Sequence, residues 1–234
     1  MRGDSGGFIA RTGARAGVVV IAPHPDDESA GCGGLIAGCT RRGVPVRIIQ
    51  LTDGAASHRS EAWPPARLAA LRAAEMDRAA RSLGVRDPVI TLGLPDAGRQ
   101  SVGAEHHAAV RVAGLLARWR PGLVLTTWRR EPHCDHRLAY RVAQRACELM
   151  RTPLAEYLVW TPITGRPGDR PKPAEGRAFW LILTIEQRAA KQRALRLHAS
   201  QRGEVVQDDP NGFVLDPDTE AAMTGPCEGY VLPW

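Results

Sequence analysis

Val18-Val19-Val20-Ile21-Ala22-Pro23-His24-Pro25-Asp26-Asp27-Glu28-Ser29 sets the class of the whole chain. Five apolar residues, four of them β-branched, run into a turn bracketed by prolines. Such a run reads as a strand buried on both faces, the signature of a parallel sheet with helices on either side. In an open sheet of that kind, ligands bind beyond the carboxyl ends of the strands. His24, Asp26, Asp27 and Glu28 crowd that end, and charge in a half-buried place is costly unless it is paired or metal-bound. The packing of one imidazole and three carboxylates into five residues therefore suggests a metal.

A second cluster supports this. Leu123-Val124-Leu125-Thr126-Thr127-Trp128 reads as another buried strand, and Arg129-Arg130-Glu131-Pro132-His133-Cys134-Asp135-His136 follows it. Two strand ends thus each deliver His and Asp. Zinc takes imidazole nitrogen and carboxylate oxygen, and a catalytic site uses three protein ligands plus water. His24, Asp27 and one histidine of the second cluster would complete that set. His24 and Asp27 lie three residues apart in a turn, so both can face one ion, while Asp26 points elsewhere.

Pro23-His24-Pro25-Asp26-Asp27-Glu28, with the later His133-Cys134-Asp135-His136, resembles the N-acetylglucosaminyl-phosphatidylinositol de-N-acetylase family, also called PIG-L or LmbE-like. The resemblance covers roughly the first two thirds of the chain and a helix near the end. It implies an α/β fold, a Rossmann-like three-layer sandwich with a mostly parallel sheet, here with a loop-rich C-terminal extension. It implies removal of an acetyl group from an amino sugar or glycoconjugate with Zn2+, although His and carboxylate ligands also suit another divalent metal. By resemblance His24, Asp27 and His136 are the metal ligands and Asp26 is the general base. His133 is the candidate oxyanion donor, with Asp135 orienting it and keeping it charged. Arg72 and Asp96 resemble sugar-binding positions; the other reading of Arg72 is a salt bridge with Glu75 on a solvated helix face.

The chemistry needs two kinds of carboxylate. A ligand stays ionised beside the cation, whereas a base takes a proton from water and returns it to the departing amine. Zinc lowers the pKa of bound water to about 7. Cys134 departs from the family, which usually has Pro between that His and Asp; its thiol is expected to face inward. Glu28 is read as structural at a helix entrance, where the dipole favours acid, and Ser29 as an N-cap. His58 and His198 are read as exposed rather than as pocket residues.

Composition sets the frame. The 234 residues fit one domain at 17–234 behind a partly ordered leader, 1–16, and 44% hydrophobic content supports a core. No run reaches the roughly 18 apolar residues of a membrane span. Net charge is +6, almost all of the positive charge on Arg. We read this as compositional bias, with an anionic substrate as the alternative. Basic residues are scattered and aromatics few, which argues against nucleic-acid binding. Five cysteines without a CxxC pair suggest no disulfide framework and a reducing cytoplasm. Homo-oligomer formation is left open.

Along the chain the pattern alternates. Helix is expected from Ser29 to Arg42, where Gly31, Gly33 and Gly34 would allow close approach to the sheet. The G-x-G-x-x-G of a dinucleotide loop is absent, as is the G-x-S-x-G of a serine hydrolase. Strand at 46–52, helix at 67–83 capped by Gly84, strand at 88–94, helix at 106–120 and helix at 136–150 complete a right-handed series. Strands are expected at 157–160 and 179–183, then a helix from the capping box Thr184–Gln187 to about Ser200. Residues 201–234 read as a loop-rich tail over the site. Loops 53–66, 95–105 and 161–177 and this tail would choose the substrate. The competing functions are an amidase of larger acyl groups on the same site and a non-catalytic Rossmann-like binding protein.

Overall fold

In the computed structural model, which describes residues 1–98 and 100–232, Val18–Ala22 forms strand β2 at the heart of an eight-stranded sheet. It pairs in parallel with β3 (Val46–Thr52) and β5 (Leu123–Thr127), with Val20 opposite Ile48 and Leu125. Its side chains alternate between two cores. Val18, Val20 and Ala22 face one, and Val19 and Ile21 the other. This is why every residue of the run is apolar. β4 (Ile90–Leu94) extends the parallel ladder beyond β3, and β6 (Leu154–Tyr157) beyond β5.

Helices cover both faces, making three layers. On one face α1 (Ser5–Thr12), α2 (Asp27–Arg41), α3 (Pro65–Ser82) and α7 (Ile185–Arg196) contribute Phe8, Leu35, Met76 and Ala194 to the core. On the other, α4 (Val102–Trp119) and α5 (Cys134–Met150) contribute Val112, Leu116, Val142 and Ala146. The glycines of α2 act as expected at two positions. A Cβ on Gly31 would lie 2.3 Å from the Tyr157 ring, and one on Gly34 would lie 2.5 Å from Leu183. Among the described residues no helix is long and apolar enough to cross a membrane.

The mostly parallel α/β sheet is as expected; its flank is not. The strand order is β1 (Arg2–Gly3), β7 (Arg177–Ile182), β8 (Cys227–Leu232), then β6-β5-β2-β3-β4. β8, from the supposed loop-rich tail, lies antiparallel between β6 and β7. Residues 1–16, expected as a leader, supply edge strand β1 beside β7 and helix α1, whose Phe8 is fully buried. Two short helices, α6 (Thr161–Thr164) and α8 (Pro217–Met223), complete the chain.

Several boundaries also move. α2 starts at Asp27 rather than Ser29, so Ser29 is inside the first turn and donates to Glu28 instead of capping. α4 starts at Val102, capped by Ser101, and α5 at Cys134, capped by the His133 ring. β6 ends at Tyr157, which leaves Val159 and Trp160 beyond the strand end, at the level of the site. Arg99, in the 95–105 loop, and Pro233 and Trp234, in the tail, lie outside the described residues.

Candidate metal centre

The ends of adjacent strands β2 and β5 bring the two clusters together. His24 Nδ1 lies 3.1 Å and His136 Nε2 3.3 Å from the same oxygen, Asp27 Oδ2. The His24 and His136 rings are 5.5 Å apart, and the His133 ring is within 5.4 Å of both. Nitrogens of His24, His133 and His136 lie within 4.8 Å of one another, as do ligand atoms of His24, Asp96 and Asp135. His24, Asp27, His133, Asp135 and His136 thus converge. Asp96, from the end of β4, joins them: His24 Nε2 is 3.1 Å from both Asp96 Oδ1 and Asp135 Oδ2.

The donor set fits a divalent cation. Three carboxylates surround one imidazole, and both nitrogens of His24 face carboxylate oxygen. Burial opposes charge on His24, but its bonds to Asp135, Asp27 and Asp96 outweigh that and hold its pKa well above the ordinary value. Burial also opposes charge on His136, yet Asp27 and Glu131 raise its pKa to about 9. Burial would raise Asp27; the neighbouring His136 and His24 instead hold it well below the usual carboxylate range. Protons on histidines thus do here what a cation does better, because a divalent ion neutralises more acid at one point.

Glu131, to which the sequence reading gives no role, is fully buried. Its carboxylate accepts from the backbone N–H groups of Val159, Trp160 and Thr161 and stands 3.6 Å from His136 Nδ1. That nitrogen is buried and has no hydrogen-bond partner closer. A metal-bound histidine usually gives its other N–H to such a carboxylate, which fixes the ring. The signal in the sequence is its place in the same loop, five residues before His136.

Asp26 sits beside this cluster with its backbone at φ 134°, a region that strains any residue but glycine. Such a residue costs on the order of 1–3 kcal/mol and is found where surroundings over-determine it. Its carboxylate receives a bond from Arg72 at 3.3 Å. Burial is the main influence on it; Arg72 opposes and Asp27 adds to the rise, which leaves its pKa at about 6.

Arg72 is not on a solvated face and does not pair with Glu75. It is buried and donates to the carbonyls of Gly54 and Pro25 as well as to Asp26. Glu75 turns to Ser200, accepting from its N–H and hydroxyl. Asp135 does not orient His133 through its carboxylate, which instead accepts from the Ala97 N–H. His133 Nδ1 accepts from the Asp135 N–H at 3.2 Å, so the proton of a neutral ring is on Nε2. Burial, then the charges of His24 and His136, lowers the pKa of His133, which disfavours the charged ring expected from the sequence. The Cys134 thiol is exposed rather than inward, because the residue occupies the first position of α5. His58 and His198, expected to be exposed, are both buried.

A cavity of about 380 Å³ opens over these groups. Asp96, Ser57 and Arg72 line its polar side, and Trp160, Phe213 and Leu215 are among its apolar residues. Trp160 and Phe213 meet edge to face with ring centroids 6.0 Å apart.

The chain is a Rossmann-like α/β protein with a His–carboxylate cluster of metal-ligand type at the carboxyl ends of its middle strands, where ligands bind in open sheets of this kind. Within that class the chain belongs to the PIG-L family, the GlcNAc-PI de-N-acetylases, whose family model matches residues 19–147. It is 29% identical over 243 residues to a 1D-myo-inositol 2-acetamido-2-deoxy-alpha-D-glucopyranoside deacetylase of Mycobacteroides abscessus, covering 85% of each chain. Among solved structures it resembles a deacetylase triple mutant from the teicoplanin biosynthetic pathway, with TM-score 0.70, 20% identity and coverage of 92% and 97%. It also resembles the 4-carboxy-2-hydroxymuconate hydratase of Pseudomonas putida KT2440, with TM-score 0.63, 20% identity and coverage of 93% and 96%. The structural likenesses establish the fold; one of them is to a hydratase, so chemistry must be argued from the site.

Proposed function

We propose that this protein is a zinc-dependent hydrolase that removes an N-acetyl group from an amino sugar or glycoconjugate. The observation that carries the reading is the convergence of His24, Asp27 and His136 on one point beside the strained backbone and cavity-lining carboxylate of Asp26. His24, Asp27 and His136 would hold the ion, which when bound supplies a Lewis acid for the amide carbonyl and an acidified water. Asp26 takes a proton from the attacking water and hands it to the amine nitrogen as the C–N bond breaks. In the metal-free chain burial raises its pKa to about 6, toward the neutral range in which proton exchange is most effective. The His133 Nε2–H is the donor to the developing oxyanion. Arg72 and Asp96 orient the sugar from the polar side of the cavity. The five cysteines are unpaired, in keeping with a cytoplasmic enzyme.

The test is metal analysis with acetate release from N-acetylglucosamine and its glycosides. Activity should need the metal and be lost in Asp26→Asn; a fully active Asp26→Asn enzyme removes the general-base assignment. A second reading, cleavage of a larger acyl amide, is favoured by the apolar residues Trp160, Leu195, Phe213, Leu215 and Met223 at the cavity. Glucosamines acylated with chains of increasing length separate the two, since an acetyl-specific enzyme loses rate at the first added carbons.

A further inference from the structure

Glu28 and His198 are buried, charged-type side chains that the chemistry above leaves unused. Glu28 is 0% and His198 1% exposed. One oxygen of Glu28, Oε2, accepts from the backbone N–H of Asp26 at 3.1 Å. The other, Oε1, accepts from Ser29 Oγ at 2.6 Å and meets His198 Nε2 at 3.2 Å. His198 follows the last turn of α7, 170 residues away in sequence. Two residues on, Ser200 is bonded to Glu75 of α3, and one turn back on α3 Arg72 bonds the Asp26 carboxylate. Joined by the backbone from His198 to Ser200 and by the turn of α3 from Arg72 to Glu75, these contacts link the Asp26 N–H through Glu28 back to the Asp26 carboxylate.

This linkage holds Asp26 at both ends. Arg72 fixes its carboxylate, and Glu28 fixes the peptide N–H that its φ of 134° exposes. Glycine would relieve that backbone but has no carboxylate, so the strain must be held from outside. Glu28 accepts from this N–H, and the Asp26 side chain makes no cap bond to α2. We infer that Glu28 is a positioning residue for the catalytic carboxylate of Asp26, and that His198 anchors Glu28 from the C-terminal part of the chain. The inference rests on the proposed role of Asp26 as base.

The experiment compares Glu28→Ala, Glu28→Gln and His198→Phe with the wild type and Asp26→Asn, using the zinc-loaded full chain and acetate release from N-acetylglucosamine. A misplaced reacting group costs on the order of 100-fold in rate. Glu28→Ala should lose about that factor in kcat with KM and bound zinc unchanged. Glu28→Gln, which keeps an oxygen for the Asp26 N–H, should recover most of it. His198→Phe should fall between. Hydrogen exchange at the Asp26 amide, read on metal-free protein, should quicken in Glu28→Ala and not in Glu28→Gln. If Glu28→Ala fails to fold, His198→Phe and Glu28→Gln carry the comparison through the same readouts. Wild-type kcat in folded Glu28→Ala or His198→Phe overturns the inference, as does parallel loss of zinc and rate. A Glu28→Gln enzyme as slow as Glu28→Ala also overturns it. An inactive Asp26→Asn alongside fully active Glu28 and His198 variants defeats this inference alone, whereas an active Asp26→Asn defeats the base assignment beneath it.

Discussion

Asp26 carries a cost in the folded chain that its proposed role as general base would account for. A carboxylate in the unfolded chain titrates near 3.9, while Asp26 in the fold titrates at about 6 because burial outweighs the help of Arg72. Between those values the unfolded state gives up its proton first, so rising pH favours unfolding. The ionised group therefore destabilises the native state above about pH 6, by at most about 3 kcal/mol, and the penalty is absent below the unfolded value. An amide side chain at this position would carry no such charge. With metal removed by a chelator, Asp26→Asn should melt above the wild type at about pH 7 to 8, with the gap closing toward about pH 4. Calorimetry across that range checks it; a gap that grows as pH falls would reverse the sign and with it the raised pKa. With Asp26 as the proposed base, this would be stability given up for reactivity at one residue.

At the scale of elements, the loop from β5 into α5 holds more of the centre than its two histidines. Glu131 gathers three backbone N–H groups beyond β6 and faces the buried Nδ1 of His136. It thereby ties the loop after β5 to the loop after β6, and the ring of His136 to both. Burial opposes its charge, but His136 and the backbone N–H groups hold its pKa below the ordinary value, so it stays ionised at neutral pH. Losing such a partner typically lowers metal affinity about 10- to 100-fold. Glu131→Gln should therefore weaken zinc binding by about that range, measured by competition with a chromophoric chelator, while Asp26 chemistry per bound metal changes less. Unchanged affinity would mean that the backbone, not this carboxylate, fixes His136. Helix α2 shows a parallel device. Its backbone leaves helical geometry at Cys32, and the freed N–H groups of Gly34 and Leu35 donate to Glu228, which Lys191 neutralises in the core.

Across the whole molecule, legibility followed the range of the interactions. His24, Asp27, His133 and His136 stand at the ends of runs whose apolar pattern is local, so β2, β5 and their turns could be read from periodicity. The contacts of Glu28 with His198 and of Glu75 with Ser200 span more than a hundred residues each and leave no local pattern. β8 is six residues within Gly- and Pro-rich sequence, and its place between β6 and β7 is set by pairing and packing with residues distant in the chain. The same holds for residues 1–16, whose short polar, Gly-rich text hides one decisive side chain. Phe8 packs against Phe179 of β7 and Tyr230 of β8, with ring centroids 5.5 and 4.9 Å away. It fastens helix α1 to the antiparallel flank of the sheet. Were 1–16 only a partly ordered leader off the core, Phe8→Ala would be near neutral. As a core residue it should lower unfolding free energy by about 3–5 kcal/mol, read from the urea midpoint with an unchanged m-value. A loss below about 1 kcal/mol would return α1 to the surface.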